Sequence, residues 1–296
     1  MKTDYSIAEV LHEASRALES AGVPEARREA GSLLSFVLGE DRTFLISHAE
    51  DPVDNNSLER LREFVERRAS GEPLQYIVGV QDFFGRAFRV TPDVLIPRPE
   101  TELLVEAALD LVKGSAPFIC DVGTGSGCIA ITLLCEIAKA RAVALDNSAG
   151  AIEVAKLNAR SLAVSERIAF AVSDCFGALD PNQYQFDLVV SNPPYVSAGV
   201  MDGLQREVRD HEPRDALSPG PDGLSIIRRL IQETPAFLKN EGHLLMEIGF
   251  DQGEAVTGLI DNEVWRLVEI KPDLQGIPRI VVLQKNSCHN TSHCGV

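Results

Sequence analysis

FICDVGTGSGCIAITLLCEIAK, residues 118–139, is the stretch on which the fold turns. Phe118-Ile119-Cys120-Asp121-Val122 is a short, mostly apolar run, as expected of a strand in a sheet covered on both faces. Gly123, Gly125 and Gly127 follow at every second position, and the apolar spacing then becomes helical over Cys128–Lys139. A strand that passes through a glycine loop into a helix places that loop at the carboxyl edge of a parallel sheet, where such folds bind ligands. Glycine there lets a ligand approach the backbone closely.

The alternation continues on both sides. A helix over Glu102–Val112 precedes this stretch. After it come a strand over Ala142–Leu145 ending at Asp146, a helix Ala149–Ser161 and a strand Ile168–Val172. A strand Phe186–Val190, a helix near Leu224–Leu238, a strand His243–Ile248 and a last helix and strand including Ile280–Leu283 complete the series. Residues 101–286 are thus predicted to form an α/β, doubly wound, mainly parallel sheet. Upstream, apolar residues recur at helical spacing: Ile7, Val10, Leu11, Ala14, Leu18, then Ala26 to Val37, then Leu58, Leu61, Phe64, Val65. Residues 1–72 therefore read as a small N-terminal helical bundle. Residues 73–100 read as a β-hairpin and hinge, with strands over Gln75–Gly79 and Phe83–Val90 and a proline-stiffened Leu95–Glu100.

The 296 residues carry a net charge of -16. Phosphate binding needs clustered Lys and Arg, so no direct contact with nucleic acid is expected. Met1 to Val10 is polar and mixed in charge, unlike a signal peptide, and no apolar run approaches the roughly 18 residues of a membrane span. Cys120, Cys128 and Cys135 lie in apolar patterns and read as small buried hydrophobes in a reducing compartment, so a cytoplasmic protein is expected. Residues 287–296 read as a disordered polar tail; its CHNTSHC could hold a metal, but none is expected.

The loop Asp121–Gly127 has the spacing G-x-G-x-G, with Thr124 and Ser126 between the glycines. A dinucleotide fingerprint wants G-x-G-x-x-G and meets Cys128 at its third glycine; a P-loop is excluded because no Gly-Lys-Ser/Thr follows. Asp146 ends the next strand, where a carboxylate accepts from ribose hydroxyls. Asp174 follows the strand after that and can accept from an adenine amino group, with Cys175 and Phe176 packing on the base. Loop, ribose acid and base-side acid at successive strand ends point to an adenosyl ligand. The pattern resembles the S-adenosylmethionine-dependent methyltransferases.

A methyl donor gives a task to SNPPY, residues 191–195. Two prolines after an apolar strand make a stiff, extended exit. An amide or aromatic amine nitrogen is a poor nucleophile because its lone pair is delocalised. If the Asn192 side-chain oxygen and the Pro193 carbonyl each accept one N–H, that lone pair can turn toward the methyl group. Pro193 and Pro194 fix the acceptors in advance, and Tyr195 can stack on the flat acceptor group. The motif names a planar NH₂ group and does not name the substrate.

With its flanks the chain resembles the release factor glutamine methyltransferase family (PrmC or HemK type) over nearly its whole length. The resemblance rests on Glu66–Ile77, Leu95–Glu102, Asp121–Gly127, Ser191–Tyr195, His211-Glu212-Pro213, Ala216-Leu217, Asp222-Gly223-Leu224 and Asp273–Gly276. It implies methylation of the side-chain amide (N5) of the glutamine in the Gly-Gly-Gln of peptide chain release factors. It further implies that Gly123 to Gly127, Asp146 and Asp174–Phe176, with Asn192, bind S-adenosyl-L-methionine. Asn192 to Tyr195 would hold the glutamine, Arg98 would help shape the site, and the N-terminal helices would grip the release factor. Family members can carry a tryptophan where this chain has Cys175. The rival readings are a glutamine methyltransferase acting on a ribosomal protein, an adenine N6 methyltransferase on DNA or RNA, and a silent module that binds release factor without modifying it.

Overall fold

The computed structural model describes residues 5–287, so the Cys288–Cys294 tail motif lies outside the described residues. The chain divides into two compact units. One runs to Val80 and takes in the later segment Leu204–His211; the other comprises Gln81–Gly203 and the chain from Glu212 onward.

In the first unit a short strand β1 (Tyr5–Ser6) leads into α1 (Ile7–Ser20). Ser6 and Glu9 form a reciprocal capping box, and Ile7, Val10, Ala14 and Leu18 make one buried stripe. α2 (Ala26–Leu38), α3 (Arg42–Ser47), β2 (Pro52–Val53) and α4 (Asn55–Ala69) follow, with β2 antiparallel to β1. Asp54 caps α4 by accepting from the Asn56 and Ser57 amides. The strand expected over Gln75–Gly79 is instead helix α5 (Leu74–Val78). Pro73 sets its start, Gly79 ends it in the left-handed region, and Leu74, Ile77 and Val78 share an apolar face at i, i+3, i+4 spacing. Arg68 is 4 % exposed and pairs with Glu29 and, at 2.7 Å, with Glu207 of the later segment.

The hairpin is β3 (Val80–Phe83) and β4 (Arg86–Arg89), turning through Phe84 and Gly85, both at positive φ. Phe83 and Phe88 meet edge to face at 6.0 Å and lie in the core of the second unit. Asn158 brackets Arg89, accepting from its amide at 2.8 Å and donating to its carbonyl at 3.0 Å.

The second unit continues with α6 (Glu102–Leu111), β5 (Phe118–Val122), α7 (Cys128–Glu136), β6 (Arg141–Asp146), α8 (Ala149–Ser161), β7 (Ile168–Val172) and β8 (Phe186–Ser191). α9 (Arg206–His211) lies in the segment assigned to the first unit. α10 (Arg214–Leu217), α11 (Ser225–Glu233), β9 (Leu238–Glu247), α12 (Gly253–Thr257), β10 (Trp265–Pro272) and β11 (Pro278–Lys285) complete it. The seven-stranded sheet has the order β10-β11-β9-β8-β5-β6-β7. β7, β6, β5, β8 and β9 are parallel, and β11 and β10 join by antiparallel pairing. This is the expected mainly parallel sheet, with an extra strand at its end. β10 escaped the sequence reading because it is a bulged edge strand whose Arg266, Glu269 and Lys271 interrupt the apolar run.

Successive residues of the central strands feed opposite faces, which is why they read as continuous apolar runs. Ile119, Ala144, Leu188 and Val190 pack with Leu104 of α6 and Ile131 of α7. Cys120, Val122, Leu145, Val189 and Met246 pack with Leu230 of α11 and Val256 of α12. α7 stops at Glu136, short of the expected Lys139, because Ile137 is extended. No helix among the described residues is long and apolar enough to cross a membrane.

Candidate active site

β5 and β8 are neighbours, and the chain leaves them in opposite directions, to β6 on one side and β9 on the other. Loops leaving two such strands diverge, and a crevice opens at their carboxyl ends. A cavity of about 650 Å³ lies there, built from the turns after β5, β6, β7 and β8 and from the Pro92–Thr101 strap.

The glycine loop forms one wall. The Gly123 and Thr124 amides both donate to the Leu145 carbonyl, at 2.8 and 2.9 Å, which ties the loop to the end of β6. The Gly125 amide donates to Asp146 Oδ2 at 2.8 Å, and the Ser148 amide to Oδ1 at 2.9 Å. Each Asp146 oxygen keeps lone-pair capacity on the cavity it lines. Burial raises the pKa of Asp146. Below the loop, Asp121 Oδ2 accepts from Thr124 Oγ1 at 2.7 Å, while its Oδ1 is buried without a partner. Desolvation pushes the Asp121 carboxyl up to about 7, against the lowering effect of Thr124. Gly127 does not line the cavity. It begins α7 at φ +82°, and a Cβ there would lie 2.6 Å from Ile131 Cδ1, so its smallness serves helix packing.

At the other end Asp174 and Cys175 line the cavity. Asp174 Oδ1 accepts from Arg229 Nη1 at 2.7 Å. Cys175 sits at positive φ, held by Ser173 Oγ donating to its carbonyl at 2.7 Å, and burial pushes its thiol up to about 11. Phe176, expected against the base, turns into the core and stacks on Phe237 at 4.5 Å; it is absent from the cavity lining.

Asn192, Pro193 and Pro194, at the exit of β8 beside β5, line the same cavity as the glycine loop, and so does Arg98. Asn192 Nδ2 donates to Thr101 Oγ1 at 3.0 Å. Thr101 Oγ1 donates to Glu247 Oε2 at 2.7 Å, and the Tyr195 hydroxyl donates to Glu247 Oε1 at 3.2 Å. Tyr195 thus anchors behind the wall and does not line the cavity. Its carbonyl accepts from Gln252 Nε2 at 3.0 Å, and Gly223, also at positive φ, packs against that same carbonyl too closely for any Cβ.

Sequence reasoning did not single out Glu247 or Gln252, and it quoted Thr101 and Glu212 only inside family stretches, with no role assigned to either. Glu247 carried a legible signal: it is a lone carboxylate ending a buried apolar strand, as Asp121 and Asp146 nearly are. The others had none, because their partners are remote in sequence.

The charged residues lining the cavity are Asp93, Asp146, Asp174, Asp215 and Arg98. Four carboxylates against one guanidinium suit a hydroxyl-rich, cationic ligand and oppose a polyphosphate. An adenosyl sulfonium fits this donor set.

Residues 9–79 match the family model of the PrmC N-terminal domain, and residues 99–208 match that of the methyltransferase small domain. A release factor glutamine methyltransferase of Koribacter versatilis is 42 % identical, covering 95 % of this chain and 99 % of the relative. One of Cereibacter sphaeroides is 44 % identical, covering 93 % and 96 %. Among solved structures, a methyltransferase from Pyrococcus furiosus superposes with a TM-score of 0.52 at 13 % identity, over 78 % of this chain and 99 % of that one. At that identity the likeness concerns the fold alone.

Proposed function

The chain belongs to the release factor glutamine methyltransferase family, and from that premise we propose that it methylates the N5 amide nitrogen of the Gly-Gly-Gln glutamine of peptide chain release factors in the cytoplasm. The observation that carries the reading is that Asn192-Pro193-Pro194, the Gly123–Ser126 loop and Asp146 line one acidic cavity. S-adenosylmethionine, bound there, supplies a methyl group whose bond to sulfur breaks with the electron pair left on sulfur.

Asp146 holds the ribose hydroxyls through the lone pairs that Gly125 and Ser148 leave free. Asp174 and Cys175, which line the same cavity, would face the base. Asn192 Oδ1 and the Pro193 carbonyl each accept one N–H of the glutamine amide, which holds its plane and aims the nitrogen lone pair along the transfer axis. The nitrogen turns cationic as its bond to carbon forms. Its hydrogens then become acidic, and one proton leaves to water without a strong base in the wall. The first unit grips the release factor; that assignment rests on the match of residues 9–79 to a domain found beside this catalytic unit.

The test is methylation in vitro with release factor, wild type and Gln→Ala in Gly-Gly-Gln, mapped by peptide mass spectrometry. One methyl on that glutamine, lost in the substrate variant and reduced about 10²–10³-fold in Asn192→Ala, is the expected result. Transfer to a ribosomal protein or to adenine in place of release factor overturns the substrate and leaves the chemistry.

A further inference from the structure

We propose that Glu247, acting through Thr101, sets the polarity of the Asn192 amide, holding its carbonyl oxygen toward the substrate and its NH₂ away. Both are positioning residues, and the inference rests on the function proposed above.

An ionised carboxylate only accepts. Glu247 is 1 % exposed, and its two oxygens receive the Thr101 and Tyr195 hydroxyls. Thr101 has a single hydroxyl hydrogen, and Glu247 takes it. The Thr101 oxygen therefore offers Asn192 only lone pairs. Of the two ends of the Asn192 side chain only the NH₂ can donate to it, across 3.0 Å. The amide oxygen is left for the cavity, where an N–H of the substrate needs an acceptor. An inverted amide would place two acceptors against each other at Thr101 and two donors against each other at the substrate. Each such clash leaves a polar group unpaired and disfavours the inverted amide. One carboxylate at the end of β9 thus orders the strap turn, through Thr101, and the exit of β8, through Asn192 and Tyr195.

The device depends on the charge of Glu247. Arg279 of β11 favours the ionised form, Glu100 opposes it, and the neighbouring Cys128 thiol and Tyr195 hydroxyl are held neutral by burial. Burial of Glu247 itself raises its pKa. Once protonated, Glu247 can donate to Thr101. Thr101 is then free to donate to Asn192, and the amide can turn over. The rate of transfer should fall on the acid side at a pH above the ordinary carboxylate range.

The experiment uses the full chain, release factor and S-adenosylmethionine, and compares Thr101→Val, Thr101→Ser and Glu247→Gln. Thr101→Val is expected to lower kcat about 10- to 100-fold, less than loss of a direct contact, with cofactor affinity unchanged. Thr101→Ser restores most of it. The acid limb of the kcat profile persists in Thr101→Ser and disappears in Thr101→Val and Glu247→Gln, where the gate is gone. Wild-type kcat in Thr101→Val, equal losses in Val and Ser, or an acid limb that survives in Glu247→Gln overturns the inference. If Thr101→Val does not fold, the Glu247→Gln profile decides. Failure of the proposed function is separate, because it appears in the wild type as absence of transfer to release factor.

Discussion

Arg98 Nη2 donates to Glu212 Oε1 across 2.5 Å, and the two residues are 114 positions apart in the chain. The Ile96 amide donates to the other Glu212 oxygen at 3.3 Å, so one carboxylate, 4 % exposed, fastens the strap to the turn before α10. Arg98 lines the cavity, but its first task is to neutralise Glu212. Arg98→Ala leaves a buried carboxylate without its cation. Because the Arg98 side chain is 31 % exposed, the loss is expected at about 2 kcal/mol, below the 3–5 of a fully buried pair. A double-mutant cycle with Glu212→Gln measures it by denaturant unfolding. Additive effects would release Arg98 from this pairing and return it to the substrate.

Asp146 should govern cofactor affinity. Asp146→Ala removes the ribose acceptor and the anchor of the Gly125 amide, and a weakening of Kd of about 10- to 100-fold is expected by calorimetry, or about 1.4–2.8 kcal/mol. Asp146→Asn should fall nearly as far, since one amide end would face a backbone N–H donor. The raised pKa of Asp146 adds a pH dependence. Only the ionised form accepts on both oxygens, so affinity weakens as pH falls through that raised value. Affinity indifferent to Asp146→Asn would remove the carboxylate from the ribose.

Asp121 makes a stability prediction with a definite sign. Its folded pKa, about 7, lies above the ordinary value of 3.8. Between those values the folded state holds a proton that the unfolded state has lost, so this group's contribution to stability declines as pH rises from about 4 to about 7 and is flat above. At the upper end the penalty is on the order of 4 kcal/mol. Asp121→Asn should flatten the curve of unfolding free energy against pH in that window relative to wild type. Parallel curves would mean that Asp121 titrates normally.

Phe176→Ala separates packing from binding. Phe176 is 2 % exposed and stacked on Phe237. Its truncation is expected to cost about 3–5 kcal/mol of stability while leaving the Kd for cofactor within about twofold under conditions where the protein is folded. A large loss of affinity at small loss of stability would put the ring back on the adenine.

What the sequence made legible follows the range of the interactions. Strands β5 and β7 and helix α8 were read to the residue, because buried parallel strands and amphipathic helices write their period locally. The cavity walls at Gly123–Ser126, Asp146 and Asn192–Pro194 were likewise local, since strand ends and prolines mark them. Helix α5 was misread because β-branched Ile77 and Val78 carry strand propensity, and Pro73 and Gly79 outweighed it. The roles of Thr101 and Glu212 stayed hidden because their partners lie 91 to 146 positions away, which no local period records.

The hairpin determines where the chain can be cut. A break at Thr91, inside the expected hairpin-and-hinge segment, removes Phe83 and Phe88, which are 1 % and 0 % exposed in the core of the second unit. Losing either ring costs about 3–5 kcal/mol, so a chain starting at Thr91 is expected to unfold or to melt without cooperativity, and to bind no cofactor. A chain starting at Val80 keeps both rings and the Asn158 bracket on Arg89. It is expected to bind S-adenosylmethionine with the Kd of the full chain, and to lose some stability where Glu207 no longer meets Arg68. If the first unit grips the release factor, kcat/KM on intact release factor falls by at least about tenfold, the equivalent of about 1.4 kcal/mol of binding, while transfer to a short Gly-Gly-Gln peptide is unchanged. Full activity of the Val80 chain on intact release factor would confine the first unit to covering apolar surface.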